Sequence, residues 1–451
     1  MTGIILVLTI FLRFYHLYQF AGFSWDQEQL LAYPVNHLLT NHKFTLVGPQ
    51  TGPGGIYLGP LLYYLAAPFF WAFKLHPIAG SVLASTLGVT TATGIYFVFK
   101  KFFTQNIALA AFAVYAVSPL LNLNDRTIWN PSLIPLASLG ILAVYLTWWK
   151  YHHATYLNLA LLAAATALGI QAHLSFLFIL PLHLLTLLKF KPQLSLLKIG
   201  WFILSLIFWF LPLIAFDLRH QGVNVNHFFS FFLSGGSQLN LFSIVSRFLP
   251  LIINSLGLIG SMLIYSSVSQ FNLLVGIAVL LAAVWLRHYL FLAYMVVFAL
   301  GFSFYTGNVP DYYLWPLLLP AVLVISLALD SLARRFKIPP LAPISLLLFF
   351  LTFKTLDELS TAPPDSLERK LQTVQYIISR SGNQPFQIAY DTDFGRNYGF
   401  AYLFDYFNRP PSHDPHDSQF TIVVPELFRT GERSDIAFGS IGIINPKGNS
   451  Q

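Results

Sequence analysis

The chain has 451 residues, of which 56% are hydrophobic and only 10% are charged. Soluble globular proteins carry about 25% charged residues, so this composition excludes a soluble enzyme and predicts a polytopic membrane protein. The net charge is +7 and there are no cysteines. Disulfides, thiol catalysis and thiolate metal sites are therefore excluded. The basic residues fall between apolar segments, where they set membrane orientation rather than bind nucleic acid.

Apolar windows long enough to cross a bilayer fall at about 3–20, 78–99, 106–123, 131–149, 155–171, 174–189, 197–216, 271–287, 289–306, 313–330 and 338–354. Two further stretches, 56–74 and 249–266, are ambiguous. Ten basic residues, Lys100, Lys101, Lys150, Lys189, Lys191, Lys198, Arg287, Arg334, Arg335 and Lys337, all face the cytoplasm only if neither ambiguous stretch crosses fully. The prediction is an all-α bundle of about 11–13 transmembrane or re-entrant helices, with about 11 full crossings. Arg13 falls inside the first window, and the simplest expectation is that it snorkels to the outer interface. The boundary falls near residue 354. Residues 1–354 form the membrane domain, and 355–451 form a small extracytoplasmic α/β domain. In that tail an amphipathic helix stops at Gly382, "FQIAY" and "TIVV" read as strands, and "RPPSHDPHDS" reads as a loop.

The chemistry-bearing residues gather in the outer loops. "AGFSWDQEQL", residues 21–30, places Asp26 and Glu28 just beyond the first window. Two acids at i and i+2 do not share a helical face. They read either as solvated loop charge and partners for Arg13, or as a general base with an orienting neighbour, since partial desolvation raises a carboxylate pKa. "NLNDRTIWNPS" supplies Asp125 and Arg126. Arg126 reads as a phosphate ligand through its planar fork or as half of a local ion pair. His173 sits at a helix junction on the outer side. "FDLRHQGVNVNHFF" adds Asp217, Arg219, His220 and His227, a polar cluster suited to an anionic head group. "TGNVPDYYLWP" adds Asp311, Tyr312 and Tyr313, which alone read as interface anchors. No helical His/Glu spacing marks zinc, no G-x-S-x-G elbow marks a hydrolase, and a divalent metal stays open.

In order along the chain these pieces resemble a known family. "LRFYHLYQFAGFSWDQEQL", "GPLLYYLAAPFF", "VSPLLNLNDRTIWNPS", "FDLRH" and "DYYLWPLLLP" are similar to outer-face segments of integral-membrane GT-C glycosyltransferases. The branch is that of the protein O-mannosyltransferases and lipid A aminoarabinose transferases. The resemblance covers roughly residues 5–330. It implies transfer of a sugar from a polyprenyl-phosphate donor, on the outer face of the cell membrane, to a glycan, lipid or protein acceptor. Asp26 matches the family's reacting or positioning acid. Glu28 is an approximate match, because Gln27 separates two acids that are often adjacent. Many members carry a further acid near the start of the following helix; here that place reads "WNPS", and whether Asp125 is its equivalent stays open. Gly59 replaces a lysine that often precedes the "PPLYYLL" segment, so phosphate binding is expected from Arg126, His173, Arg219 and His220. Tyr63, Asp125, Tyr312 and Tyr313 are expected to line the substrate cavity. The rival classes are another lipid-linked glycan enzyme, such as a polysaccharide polymerase or ligase, and a transporter or scaffold. A transporter is expected to place its ionisable residues at mid-span, whereas here they cluster at outer helix ends.

Overall fold

The computed structural model describes residues 1–52, 55–234, 241–425 and 434–446, with the side chains of 232–234, 241 and 243 left aside. The chain runs from one end of a helix bundle to the other along 2–20, Ile78–Phe102, 105–124, Asn130–Tyr151, Tyr156–Ala172, Leu174–Phe190 and Leu196–Arg219, and then along Ser269–Trp285, Tyr289–Ser303, Asp311–Arg335 and Leu341–Glu358. These apolar helices make it a multi-pass membrane protein. Many of the bundle-facing residues are alanine, as in Gln105–Val117, where every residue from Ile107 to Val117 is buried. In lipid, where no hydrophobic force draws helices together, such small side chains let backbones approach closely enough for dispersion to hold them.

Both ambiguous stretches begin beside the main cavity. Leu61–Ala72 has 12 residues, about 18 Å of helix, too short for a bilayer core of about 30 Å. Leu62 lines the main cavity at its start. Just past its end, the Leu75 carbonyl accepts from Tyr402 Oη at 2.8 Å. Leu241–Ser261 has 21 residues and would be long enough to cross. Near its start, however, Arg247 donates to the Tyr305 carbonyl at 2.5 Å, beside that same cavity. Beyond its end, Tyr265 feels the charges of Lys354 and Glu358, at the terminus of a helix whose Thr355 donates to the Val117 carbonyl at 2.8 Å. Val117 closes the cavity end of Gln105–Val117. The helix is pinned along Ser269–Trp285 by glycines: a Cβ on Gly260 would stand 1.8 Å from the Asn272 carbonyl oxygen, and one on Gly276 1.9 Å from that of Leu256. The alternating path then places the basic turns, such as Lys150 donating to the Lys101 carbonyl, at the end opposite the cavity.

The first window is not one helix. Thr2–Phe14 stops at Tyr15, His16 adopts a left-handed conformation (φ 52°), and Leu17–Phe20 follows as a separate turn. Arg13 does not snorkel, which corrects the sequence-based expectation. It is fully buried, and its Nε donates to Asp125 Oδ2 at 2.8 Å. Its Nη1 donates to the Ala116 carbonyl at 3.1 Å and its Nη2 to the Tyr115 carbonyl at 3.3 Å. These are the last carbonyls of Gln105–Val117, which Pro119 prevents from continuing in regular helix. A helix end at membrane depth needs such donors, because no water is present to replace them.

After the last bundle helix the chain forms a four-stranded sheet: β1 (Phe386–Thr392), β2 (Ser418–Val424), β3 (Ile436–Phe438) and β4 (Ile441–Ile444), in the order β1-β2-β4-β3. β1 and β2 are parallel and the other pairs antiparallel. Ala401–Tyr406 lies on the crossover between β1 and β2. The amphipathic helix Leu367–Ser381 buries Leu371, Val374 and Ile377 and ends at Gly382 (φ 56°).

Asp125→Ala leaves the Arg13 guanidinium buried without its counter-charge, which costs about 3–5 kcal/mol in comparable buried pairs. Detergent-purified Asp125→Ala is expected to melt well below the parent protein; an unchanged melting temperature would contradict this assignment.

Candidate active site

The segment after Leu17–Phe20 is held from two sides. On the bundle side, the Gly22 amide donates to Thr127 Oγ1 at 3.0 Å, and Gln27 Nε2 donates to the Ile128 carbonyl at 2.8 Å. On the tail side, the Leu367 amide donates to the Ala21 carbonyl at 2.8 Å. Ser24 then caps a helix start: its amide donates to Gln27 Oε1 at 3.0 Å, the reciprocal arrangement of a capping box. The helix begins at Trp25, widens to a π-turn over Glu28–Ala32, and continues as Tyr33–Thr40. Asp26 thus lies in a first helical turn, where exposed amides favour a negative charge.

The i, i+2 spacing sends the two acids to different places. Asp26 lines a cavity of about 650 Å³. Burial raises its pKa above the ordinary 3.8, and no counter-charge opposes that shift. Glu28 is only 1% exposed and points into the tail domain, where Oε1 accepts the Tyr402 amide at 3.0 Å and Oε2 accepts from Gln29 Nε2 at 3.2 Å. It does not line the cavity, so its expected place as a second catalytic acid is corrected to that of an internal hydrogen-bond acceptor.

The opposite cavity wall is aromatic. His173 stacks on Tyr313 with ring centroids 4.4 Å apart and meets Tyr312 edge-on at 5.3 Å. Trp129 packs on Tyr312 at 4.7 Å, and Tyr305 and Trp25 complete the wall. His173, Tyr312 and Tyr313 are therefore where the sequence reading expected them. The Ser175 amide donates to His173 Nδ1 at 3.1 Å, which leaves the ring proton on Nε2 in the neutral tautomer. Burial lowers the His173 pKa to about 4, so near neutral pH it is an uncharged N–H donor.

The other expected ligands are elsewhere. Arg126 is 1% exposed. Its Nη1 donates to the Tyr15 carbonyl at 2.7 Å and its Nη2 to the Leu12 carbonyl, so it caps the first helix and has no fork left for a phosphate. Asp125 is committed to Arg13. Arg219 and His220 are exposed and line neither cavity, and His220 Nδ1 and the Phe216 carbonyl are 2.8 Å apart. Tyr63 is buried in the bundle core, 5% exposed, one residue from the lining Leu62. The remaining "FDLRHQGVNVNHFF" polar groups shape a loop: Asn224 Oδ1 accepts the Tyr57 amide at 2.6 Å, and His227 Nδ1 lies 3.1 Å from the Gly55 carbonyl. Gly59, where the family resemblance would place a lysine, packs against the Gln171 side chain: a Cβ there would stand 2.0 Å from Gln171 Oε1, so a larger residue requires Gln171 to move.

The cation that sequence reasoning missed is Arg247. It is half-buried, bonded to the carbonyl of the cavity residue Tyr305, and its remaining N–H groups have no partner among the described residues. Apart from Asp26, none of the residues lining the main cavity is an acid, a lysine or an arginine. A second, largely apolar groove of about 290 Å³, lined by Ile170, Leu177, Phe210 and Leu213 with Asp217 at one point, adjoins the main cavity, and Leu58 and Leu174 belong to both linings. Among the described residues no three His, Asp or Glu side chains converge as a metal set.

A helical bundle of this path, with juxtamembrane helices over an end cavity and a small sheet domain beyond, is a GT-C fold, the architecture of integral-membrane glycosyltransferases. The particular likeness is to ArnT from Cupriavidus metallidurans. Its crystal structures, bound to undecaprenyl phosphate and in the apo state, each superpose with a TM-score of 0.59, at 12% and 11% identity, over 98% of this chain and 97% of theirs. The archaeal oligosaccharyltransferase AglB from Archaeoglobus fulgidus, in complex with an inhibitory peptide and a dolichol-phosphate, aligns at a TM-score of 0.49 and 12% identity over 94% of this chain and 69% of that one. No protein-family profile and no curated protein sequence matches the chain.

If burial governs Asp26, its carboxyl protonates at a pH above the ordinary 3.8. Isotope-edited infrared titration of ¹³C-aspartate-labelled protein is expected to show a carboxyl band that titrates above that value and is missing from Asp26→Asn. A parent spectrum unchanged by that substitution would contradict the assignment.

Proposed function

We propose that the protein is a glycosyltransferase that moves a sugar from a polyprenyl-phosphate carrier to an acceptor on the extracytoplasmic face, with Asp26 as general base. The observation that carries this reading is the juxtaposition of one partly desolvated carboxylate, an aromatic cavity wall and an adjoining, largely apolar groove. A polyprenyl phosphosugar has matching parts: an apolar chain for the groove, a phosphate at the junction, and a sugar whose C–H faces stack on aromatic rings. The ArnT structure of the same fold, bound to undecaprenyl phosphate, supports a carrier of this class.

In the proposed step the acceptor hydroxyl or amine attacks the anomeric carbon, the bond from that carbon to the phosphate oxygen breaks, and polyprenyl phosphate leaves. The acceptor proton passes to Asp26. A carboxylate whose pKa is raised by burial is a better base for this transfer than a solvated one. A single displacement inverts the anomeric configuration. Negative charge grows on the phosphate as it departs, and donors fixed beforehand stabilise that change. His173 Nε2–H and the N–H groups of Arg247 left over beyond Tyr305 are the groups we assign to it. With a carboxylate as the only charged side chain in the lining, the cavity favours uncharged or cationic sugars over acidic ones.

The test is incubation of the purified protein with a panel of polyprenyl phosphosugars and candidate acceptors, with products read by mass spectrometry. Release of polyprenyl phosphate with glycosylated acceptor is expected from a neutral or amino sugar. Failure to consume any donor by folded protein would overturn the reading. Arg247→Ala removes a charge-assisted contact of about 1.5–3 kcal/mol, so kcat/KM for the donor is expected to fall about ten- to a hundredfold, with kcat sharing in the loss. An unchanged kcat/KM would remove Arg247 from the site.

A further inference from the structure

We infer that the tail domain is a working part of the site and that Lys370 is a positioning residue, which fixes the Asp26-bearing turn through the Phe23 carbonyl. The inference rests on the proposed transferase reading and extends it to a segment that the cavity itself does not use.

Lys370 lies on Leu367–Ser381 and is 4% exposed. A lysine buried to that degree needs partners for its ammonium, and it has them on both sides of a seam. Nζ donates to the Phe23 carbonyl at 2.8 Å, three residues before Asp26, and to the Tyr398 carbonyl at 2.7 Å within the tail. The Phe400 ring lies 5.1 Å away and offers its face to the same charge. The approach is close enough to dictate a glycine. Gly399 has φ 91°, and a Cβ there would stand 2.2 Å from the Phe23 carbonyl oxygen and 2.9 Å from Lys370 Nζ. Five residues after Phe23, Glu28 accepts the Tyr402 amide, and Tyr402 Oη reaches back to the Leu75 carbonyl. Tyr33 Oη donates to Asp405 Oδ2 at 2.7 Å.

Tail atoms therefore grip residues 21, 23 and 28, and bundle atoms grip residues 22 and 27. Asp26 stands between these grips and carries no side-chain hydrogen bond of its own among the described residues. Its aim is set by the backbone alone, so the grips determine it. A domain that merely covered the bundle would be satisfied by an apolar seam; a charged latch on a carbonyl beside the acid fixes its position. Misplacing a reacting group by about 1 Å costs up to a hundredfold in rate.

The experiment uses the full chain with Lys370→Met, which keeps the apolar stem and removes the donors. Turnover is normalised to donor-binding-competent protein, so that lost folding does not count as lost catalysis. The expected result is a fall in kcat of about ten- to a hundredfold with an unchanged donor KM. Glu28→Leu, which removes the other grip, is expected to lower kcat in the same way, and Glu28→Gln, which keeps an oxygen for the Tyr402 amide, is expected to turn over at least about tenfold faster than Glu28→Leu. If Lys370→Met does not fold, the two Glu28 variants decide. A kcat within twofold of the parent for Lys370→Met, or equal rates for Glu28→Leu and Glu28→Gln, would overturn the inference. Asp26→Asn in parallel separates the two layers: full activity in that variant would sink the transferase mechanism itself, whereas its inactivity beside a fully active Lys370→Met sinks only the positioning role.

Discussion

Two arginines each cap the other's helix, and the geometry of the outer face depends on that exchange. Arg13, on the first helix, donates to the Tyr115 and Ala116 carbonyls that end the helix Gln105–Val117. Arg126, just after that helix, donates to the Leu12 and Tyr15 carbonyls that end the first. Each guanidinium satisfies orphan carbonyls and sits at the negative end of a helix dipole. Asp125 neutralises Arg13, and Ser85 Oγ links the Arg13 and Asp125 carbonyls at 3.1 and 3.0 Å. Without these donors neither helix could end at that depth. Because both end there, the chain turns at His16 and delivers residues 21–28 to the mouth of the bundle.

Two nearby acids divide the labour at that mouth. Helical geometry alone separates the directions of residues 26 and 28, but the surroundings give them different chemistry. Asp26 meets a cavity wall of His173, Tyr312, Tyr313 and Trp129 without a counter-charge, and burial raises its pKa. Glu28 meets an amide of the tail. The same short helix thus turns one acid to the cavity and the other to the tail domain.

Much of this was legible in the sequence. The apolar bundle helices follow from run length, and the tail helix from its amphipathic pattern and Gly382. Asp26, His173, Tyr312 and Tyr313 were found because outer-end polar residues are costly and so stand out. Most of the residues expected to bind phosphate lie outside the cavity lining, for one physical reason. An arginine at a helix end serves a backbone carbonyl as readily as a phosphate, and the sequence does not show which carbonyls are orphaned. Arg126 was already committed to Leu12 and Tyr15, Arg219 and His220 face away from the cavities, and Tyr63 turns to the core beside a lining leucine. Arg247 was overlooked because it precedes the apolar window 249–266, and only the fold brings it to Tyr305.

The central claim is that Asp26 reacts rather than merely holds the substrate. The most direct measurement tracks the fate of a polyprenyl phosphosugar bound to Asp26→Asn by native mass spectrometry, beside the parent protein and with acceptor present. The account predicts that the variant binds the donor as the parent does and leaves it intact, while the parent converts it to polyprenyl phosphate. Conversion by the variant at close to the parent rate would contradict it.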